Sequence, residues 1–109
     1  MTLGTDPAAA VAGADAVATD TWVSMGSEDQ AAERERVFAD YQVDDALVGR
    51  ARDHAIVLHC LPAYRGKEIT AEVLDGPRSV IWDQAENRRH VQKAVLVWLL
   101  DPARLGESR

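Results

Sequence analysis

Three short apolar or β-branched runs of the sequence each end in groups that can bind a ligand or react. The runs and the residues that follow them are Ala14 to Thr19 with Asp20, Ala55 to Leu58 with His59 and Cys60, and Ser79 to Trp82 with Asp83. Runs of this length and composition predict buried β-strands. Because ligands bind beyond the carboxyl ends of the strands in a parallel sheet, the three clusters predict one shared site.

A cysteine next to a histidine raises the question of nucleophilic catalysis. Adjacent residues of a strand point to opposite faces, so His59 cannot readily deprotonate the Cys60 thiol. Covalent catalysis by Cys60 is therefore disfavoured. Taken alone, the pattern predicts that Cys60 is a small buried apolar residue and that His59 is a hydrogen-bonded structural residue.

Common metal and phosphate motifs are missing from the sequence. His54, His59, His90 and the single cysteine lack the paired spacing of a zinc site. Neither common Gly-rich phosphate loop is present. The sequence therefore predicts no metal site of this type.

Cationic and aromatic residues add two further expectations. Arg88 and Arg89 lie near the start of the last predicted helix, where a cation opposes the helix dipole. At least one of them is therefore expected to have an anionic partner. Trp82 and Trp98 are expected to fill the core, and Trp22 to form a pocket wall.

Helices that alternate with the strands must position these residues. Capping residues and stop signals predict five helices. They extend from Asp6 to Gly13, from a capping box of Ser27 and Gln30 to Val37, from Asp44 or Asp45 to about Arg52, from Thr70 to Gly76, and from about Ala85 to Leu100. This order predicts an α/β fold, a parallel sheet with helices on both faces and a long C-terminal helix. Three strands leave two unprotected sheet edges, which indicates part of a larger unit.

Length and charge exclude several classes of function. The chain has 109 residues, enough for one domain, and a net charge of -6 with no basic stripe, so nucleic acid and anionic membrane are poor partners. The longest apolar run, Ala94 to Leu100, is far shorter than the roughly 20 residues of a membrane-spanning helix. The first residues lack the basic residues of a secretory signal, and the single cysteine cannot form an internal disulfide, so a cytoplasmic location is expected.

Three segments resemble the carboxyl-terminal half of ornithine carbamoyltransferases. They are DTWVSMG (Asp20 to Gly26), LHCLPAYRGKEIT (Leu58 to Thr70), and WDQAENR with the HVQKAVLVWLL that follows it (Trp82 to Leu100). They occur in the family's order and spacing and extend over nearly the whole chain. The SMG triplet is similar to ornithine enzymes in particular, and not to the relatives that use aspartate or putrescine.

The resemblance implies a Rossmann-like, partial ornithine-binding domain over residues 1–109, with the carbamoyl-phosphate-binding domain absent. It implies transfer of a carbamoyl group from carbamoyl phosphate to the δ-amine of L-ornithine, giving L-citrulline and phosphate for arginine biosynthesis, with no metal or organic cofactor. The family forms homotrimers mainly through the half that has no counterpart here. The chain alone is therefore expected to be inactive.

The resemblance also implies which residues bind ornithine. Asp20 and Ser24 would hold the α-amino group, and the backbone N–H of Met25 would hold the carboxylate. The loop that contains them would close over the substrate, with Gly26 as a hinge.

Three residues are implied in carbamoyl transfer. Cys60 would lie beside the δ-amine as a proton acceptor or an orienting group, and the backbone carbonyls of Cys60 and Leu61 would take the carbamoyl NH2. Arg88 would contact carbamoyl phosphate and stabilise the oxyanion. The family usually has His at Tyr64 and an acid at Gln84, and both differences lie outside the positions that contact substrate.

Two alternatives remain open. The chain can instead be a non-catalytic carbamoyltransferase remnant or a partner-binding module that pairs its sheet edges with another protein. An acetylornithine-specific relative is disfavoured by the intact SMG triplet.

Overall fold

Two parallel strands form the centre of the fold in the computed structural model, which describes residues 2–23, 26 and 28–101. In chain order the elements are α1 (Pro7–Val11), β1 (Ala16–Thr19), α2 (Ala31–Phe38), α3 (Asp45–Val48), β2 (Ile56–His59), α4 (Ala71–Leu74) and α5 (Ile81–Leu100), with 3-10 turns at Glu28–Gln30 and Ala39–Tyr41. The α/β class, the parallel sheet and the long C-terminal helix are confirmed.

The register of the two strands decides what lies at their ends. Ala16 pairs with Ile56, and the pairing continues to Thr19 with His59. The next residue of each strand, Asp20 or Cys60, therefore leaves the sheet at the same edge.

One face of the sheet carries the core. Val17 and Val57 are buried there against side chains from α1, α3, α4 and the start of α5, which include the fully buried Leu74 and Ile81. On the opposite face Ala16, Ala18 and Ile56 are exposed and Leu58 is partly exposed. In the part of the chain that is described, helices thus cover one face of the sheet and leave most of the other face exposed.

Local capping signals predicted most helix starts. Asp6 accepts hydrogen bonds from the N–H groups of Ala8 and Ala9, Asp44 from that of Leu47, and Thr70 from that of Val73. Gly13 follows α1 with a φ of 70°, a left-handed conformation that favours glycine. The predicted Ser27 cap lies outside the described residues.

The predicted third strand, Ser79 to Trp82, is wrong. Ser79 forms an isolated parallel bridge with Val57, and the chain then enters α5 at Ile81. The β-branched and aromatic composition favours a strand, but burial of Ile81 against the core fixes the first turn of a helix, and tertiary packing of this kind overrides intrinsic β-propensity. Helix α5 consequently begins four residues earlier than predicted.

The placement of two tryptophans in the core is also wrong. Trp82 is 54% exposed and Trp98 is 55% exposed, and the residue of α5 that is buried is Ile81. The radius of gyration is 17.3 Å, whereas a compact 100-residue domain has about 13 Å. Helix α5 therefore presents apolar side chains that the described part of the chain does not cover.

None of the described helices is long and apolar enough to span a bilayer.

Truncation of Leu74 tests where the core lies. Leu74 is 1% exposed and Leu3 is 84% exposed. We expect Leu74→Ala to lower the free energy of unfolding by about 2–5 kcal/mol, because it removes buried methyl groups and leaves a cavity, and Leu3→Ala to lower it by less than about 0.5 kcal/mol. Urea unfolding followed by circular dichroism measures both, and equal effects would contradict this assignment of the core.

Candidate functional site

Asp20 and Cys60 meet at the carboxyl end of the sheet. The Cys60 thiol donates a hydrogen bond to Asp20 Oδ1 with a separation of 2.9 Å, although the two residues are 40 positions apart in the sequence. The same oxygen accepts the N–H of Thr21 at 2.7 Å. The predicted meeting of strand ends is thus observed for the first two strands.

This contact sets the charge of both groups. The hydrogen bonds from Cys60 and from the N–H of Thr21 lower the pKa of the Asp20 carboxyl. In turn, the hydrogen bond to Asp20 raises the pKa of the Cys60 thiol, burial adds to the increase, and Arg88 opposes it. At neutral pH the pair is therefore a carboxylate that accepts and a thiol that keeps its proton.

The expectation that Cys60 is buried is wrong. Cys60 is exposed, whereas His59 is buried, as the alternation of side chains along β2 requires. The two side chains differ in burial as the strand alternation predicts, although one imidazole nitrogen lies within 4.8 Å of the Cys60 Sγ. Cys60 leaves the strand on the side that the core does not occupy.

His59 has the structural role that the strand pattern predicted. Its Nδ1 accepts the N–H of Leu61 at 2.8 Å, so its Nε2 carries the proton and donates to Glu68 Oε1 at 3.2 Å. Both nitrogens are thereby occupied. Leu61 has a φ of 59°, which costs of order 1 kcal/mol for a branched residue, and the imidazole holds its N–H in place.

Glu68 is a site residue that the sequence analysis missed. Its side chain is fully buried, and Oε1 accepts the N–H of Tyr64 at 2.6 Å as well as the proton of His59. Oε2 has no hydrogen-bond partner among the described residues. Through these hydrogen bonds, Glu68 therefore holds the loop after β2 in place from the buried side. In the sequence, Glu68 precedes the apolar Ile69, and nothing in that pattern distinguishes a buried glutamate from an exposed one.

Two residues of α5 hold the end of β2. Gln84 Oε1 accepts the N–H of His59 at 3.0 Å, and Arg88 Nη1 donates to the carbonyl oxygen of Cys60 at 2.9 Å. A cavity of about 130 Å³ is lined by His59, Cys60, Gln84, Ala85 and Arg88. Cys60, its carbonyl and the Arg88 guanidinium therefore face one small space.

Arg88 and Arg89 have different hydrogen-bond partners. Arg89 has an anionic partner, because its guanidinium lies 3.1 Å from Glu86. Since α5 begins at Ile81, both arginines lie beyond its first turn, and the helix dipole is not the reason for this pair. Arg88 makes no ion pair with the described residues, and its partner is a neutral carbonyl. Arg88 is thus the cation available to an anionic ligand.

The remaining predicted residues lie elsewhere. Ser24 and Met25 lie outside the described residues. Asp83 is exposed in the first turn of α5 and does not follow a strand. Trp22 lies in a tilted ring contact with Phe38, with centroids 6.4 Å apart.

Three potential metal donors lie close together, which sequence spacing could not show. Asp20, His59 and Cys60 each have one potential ligand atom that lies within 4.8 Å of the other two. The thiol and carboxylate satisfy each other, and both imidazole nitrogens are bound to protein partners. Since metal binding would break these hydrogen bonds, we do not assign the group as a metal site.

Residues 1–99 match the family model for the aspartate/ornithine carbamoyltransferase Asp/Orn binding domain. The chain belongs to the aspartate/ornithine carbamoyltransferase family. It is 61% identical over 100 residues to the ornithine carbamoyltransferase of Rhodococcus opacus, an alignment that covers 92% of this chain and 32% of that relative. To the ornithine carbamoyltransferase of Leifsonia xyli it is 62% identical over 95 residues, covering 87% and 30% respectively.

Solved structures of carbamoyltransferases have the same fold. The ornithine carbamoyltransferase of Campylobacter jejuni matches with a TM-score of 0.84 and 40% identity over 91% of this chain and 33% of that one. The Pyrococcus furiosus enzyme matches with a TM-score of 0.78 and 53% identity over 84% and 29%. The chain thus spans about a third of the length of the relatives it matches.

Replacement of Asp20 tests the coupling of the strand ends. In Asp20→Asn the charge next to Cys60 is lost, so the pKa of the thiol falls. We expect alkylation by iodoacetamide at pH 8.5 to become about three- to tenfold faster. Because Cys60 is the single cysteine, the rate reports this thiol alone. Asp15→Asn, at the other end of β1, is the matched control and should leave the rate unchanged.

Proposed function

We propose that this chain is the carboxyl-terminal, ornithine-side segment of an ornithine carbamoyltransferase. The reaction transfers a carbamoyl group from carbamoyl phosphate to the δ-amine of L-ornithine and gives L-citrulline and phosphate, a step of arginine biosynthesis. The observation that carries the proposal is the meeting of Asp20, Cys60 and Arg88 around one edge of the sheet. Such an edge binds ligands in parallel α/β folds.

The amino-acid side of the proposed site is anionic. Asp20 keeps its negative charge at neutral pH because its pKa is lowered, so it is suited to a substrate ammonium group. We assign it the α-amino group of ornithine, together with Ser24. Met25 would bind the carboxylate through its backbone N–H. The assignment of Ser24 and Met25 rests on the DTWVSMG resemblance.

Cys60 is assigned an orienting role. A thiol that already carries its proton cannot accept another, and the raised pKa keeps Cys60 in that form. The δ-amine therefore enters as the free base, its nitrogen bonds to the carbamoyl carbon, and the bond from that carbon to the phosphate oxygen breaks. The amine proton goes to the departing phosphate. Binding the two reactants side by side supplies much of the acceleration.

The carbamoyl group would lie over the end of β2. The carbonyl oxygens of Cys60 and Leu61 are proposed to accept its NH2. The Cys60 oxygen already accepts Arg88 and has a second lone pair for this bond. The Arg88 guanidinium lies next to the same position, where a fixed positive charge stabilises the developing oxyanion and the leaving phosphate.

The segment requires the rest of the enzyme to act. The sequence contains no common phosphate-binding loop, and the chain spans about a third of its relatives' length. We therefore propose that residues 1–109 form part of the ornithine-binding domain, that the carbamoyl-phosphate domain completes the site, and that the complete protein assembles as a homotrimer in the cytoplasm. No metal or organic cofactor has a role in this proposal.

One observation favours a second candidate, a partner-binding module without catalysis. Helix α5 exposes large apolar side chains along its length, and the second face of the sheet is largely open. The exposed side chains of α5 include Trp82, Val91, Val95, Leu96, Trp98, Leu99 and Leu100. Apolar surface of this extent marks an interface with another protein or domain.

Ligand binding to the purified chain separates the two candidates. We expect weak binding of L-ornithine, with a dissociation constant in the millimolar range, and about tenfold weaker binding by Asp20→Asn because one charge contact is lost. Asp15→Asn is the control with the same change of charge. Isothermal titration calorimetry measures the affinities.

Two outcomes would revise the proposal. An absence of ornithine binding at saturating concentration would favour the partner-binding module. Citrulline formed by the purified 109-residue chain from ornithine and carbamoyl phosphate would contradict the requirement for the rest of the enzyme.

A further inference from the structure

We propose that Gln42 is a positioning residue that sets the direction of the Cys60 carbonyl through the loop between β2 and α4, an inference that rests on the proposed role of that carbonyl. Gln42 follows the 3-10 turn Ala39–Tyr41. Its Nε2 donates one hydrogen bond to the carbonyl oxygen of Gly66 at 3.0 Å and one to that of Lys67 at 2.6 Å. A side-chain amide has two N–H donors, and Gln42 uses both to hold two successive carbonyls of a loop that is 24 positions away in the sequence.

The backbone next to Gln42 holds the second half of the same loop. The N–H of Val43 donates to the carbonyl oxygen of Glu68 at 2.9 Å, and the N–H of Thr70 donates to the carbonyl oxygen of Val43 at 3.1 Å. Val43 and Ile69 form a parallel bridge, and both side chains are buried. This two-residue segment therefore pairs with the loop like a short strand and fixes the backbone that carries the Glu68 side chain.

A fixed Glu68 carboxylate sets the orientation of His59. Glu68 Oε1 accepts the Nε2 proton of His59 at 3.2 Å, so His59 Nδ1 is free to accept the N–H of Leu61 at 2.8 Å. That N–H and the carbonyl of Cys60 belong to one planar trans peptide, in which the two groups point in opposite directions. The buried imidazole therefore holds the Cys60 oxygen outward, where it is proposed to accept the carbamoyl NH2.

Two ion pairs also contact this loop. Arg65 pairs with Asp75, and Lys67 pairs with Glu35, but the four side chains are between 37% and 50% exposed. Exposed ion pairs contribute little, because solvent and salt screen them and two long side chains lose freedom. The bonds from the neutral Gln42 amide to backbone carbonyls do not depend on such a charge pair. We therefore assign the positioning role to Gln42.

Loss of the two amide donors tests the proposal in the 109-residue chain. Gln42→Met keeps an unbranched side chain without a donor, and Gln42→Glu keeps the shape but places an oxygen at the donor position. We expect both variants to lower the hydrogen-exchange protection of the Leu61 amide by about tenfold, since two hydrogen bonds that hold the loop are lost. The amides of Val57 and Thr70 bond to other parts of the backbone and should change by less than about twofold.

Nitrogen NMR signals of the His59 imidazole give a readout that a loss of stability alone does not move. Nε2 carries the proton and Nδ1 is an acceptor, so the two nitrogens should have widely separated chemical shifts. In both Gln42 variants we expect the two signals to move toward each other, because a displaced Glu68 no longer selects one tautomer. Gln92→Met removes an exposed amide from α5 and is the matched control, which should leave the signals unchanged.

Two results would overturn the proposal. The first is unchanged Leu61 protection or unchanged imidazole signals in both Gln42 variants. The second is an equal loss of protection at Val57 and Thr70, since Gln42 would then contribute only to general stability. The measurements contain no substrate, so failure of the proposed function would appear as absent ornithine binding and not as a change in these signals.

Discussion

The parallel register of β1 and β2 is the constraint on which the site depends. Because Thr19 is paired with His59, the next residues, Asp20 and Cys60, leave the sheet together and form a hydrogen bond of 2.9 Å. A shift of β2 by one residue would exchange the faces of every side chain on it and bury the thiol. The charges of the carboxylate and the thiol therefore follow from backbone pairing.

Beneath this edge, a buried hydrogen-bonded chain supports the loop that carries the reactive groups. Glu68 binds the Tyr64 N–H and the His59 ring, and the ring in turn holds the N–H of Leu61. These hydrogen bonds satisfy the N–H groups of Tyr64 and Leu61 and so stabilise one backbone arrangement of the loop. The imidazole next to the thiol thus contributes by shaping the loop and not by moving a proton from the thiol.

Helix α5 has two different halves. Its first turns fasten to the core through Ile81 and to the end of β2 through Gln84 and Arg88. Its last turns carry apolar side chains, including Trp98, that remain exposed. Apolar surface of this extent marks an interface with another protein or domain. The same helix therefore lines the cavity at the sheet edge and exposes apolar side chains that the described residues do not cover.

The sequence determined the local features of this protein and indicated that Asp20 and Cys60 lie together in the candidate site. Capping residues such as Asp6 and Asp44 fixed helix starts through hydrogen bonds within a few residues, and short apolar runs fixed β1 and β2. The motifs around Asp20 and Cys60 indicated both the family and the shared sheet edge. The tertiary structure decided that Ser79 to Trp82 opens a helix, that both Trp82 and Trp98 are exposed, and that Glu68 is buried beneath the site. The physical reason is that burial and long-range hydrogen bonds depend on which residues meet in space, and local pattern does not encode those meetings.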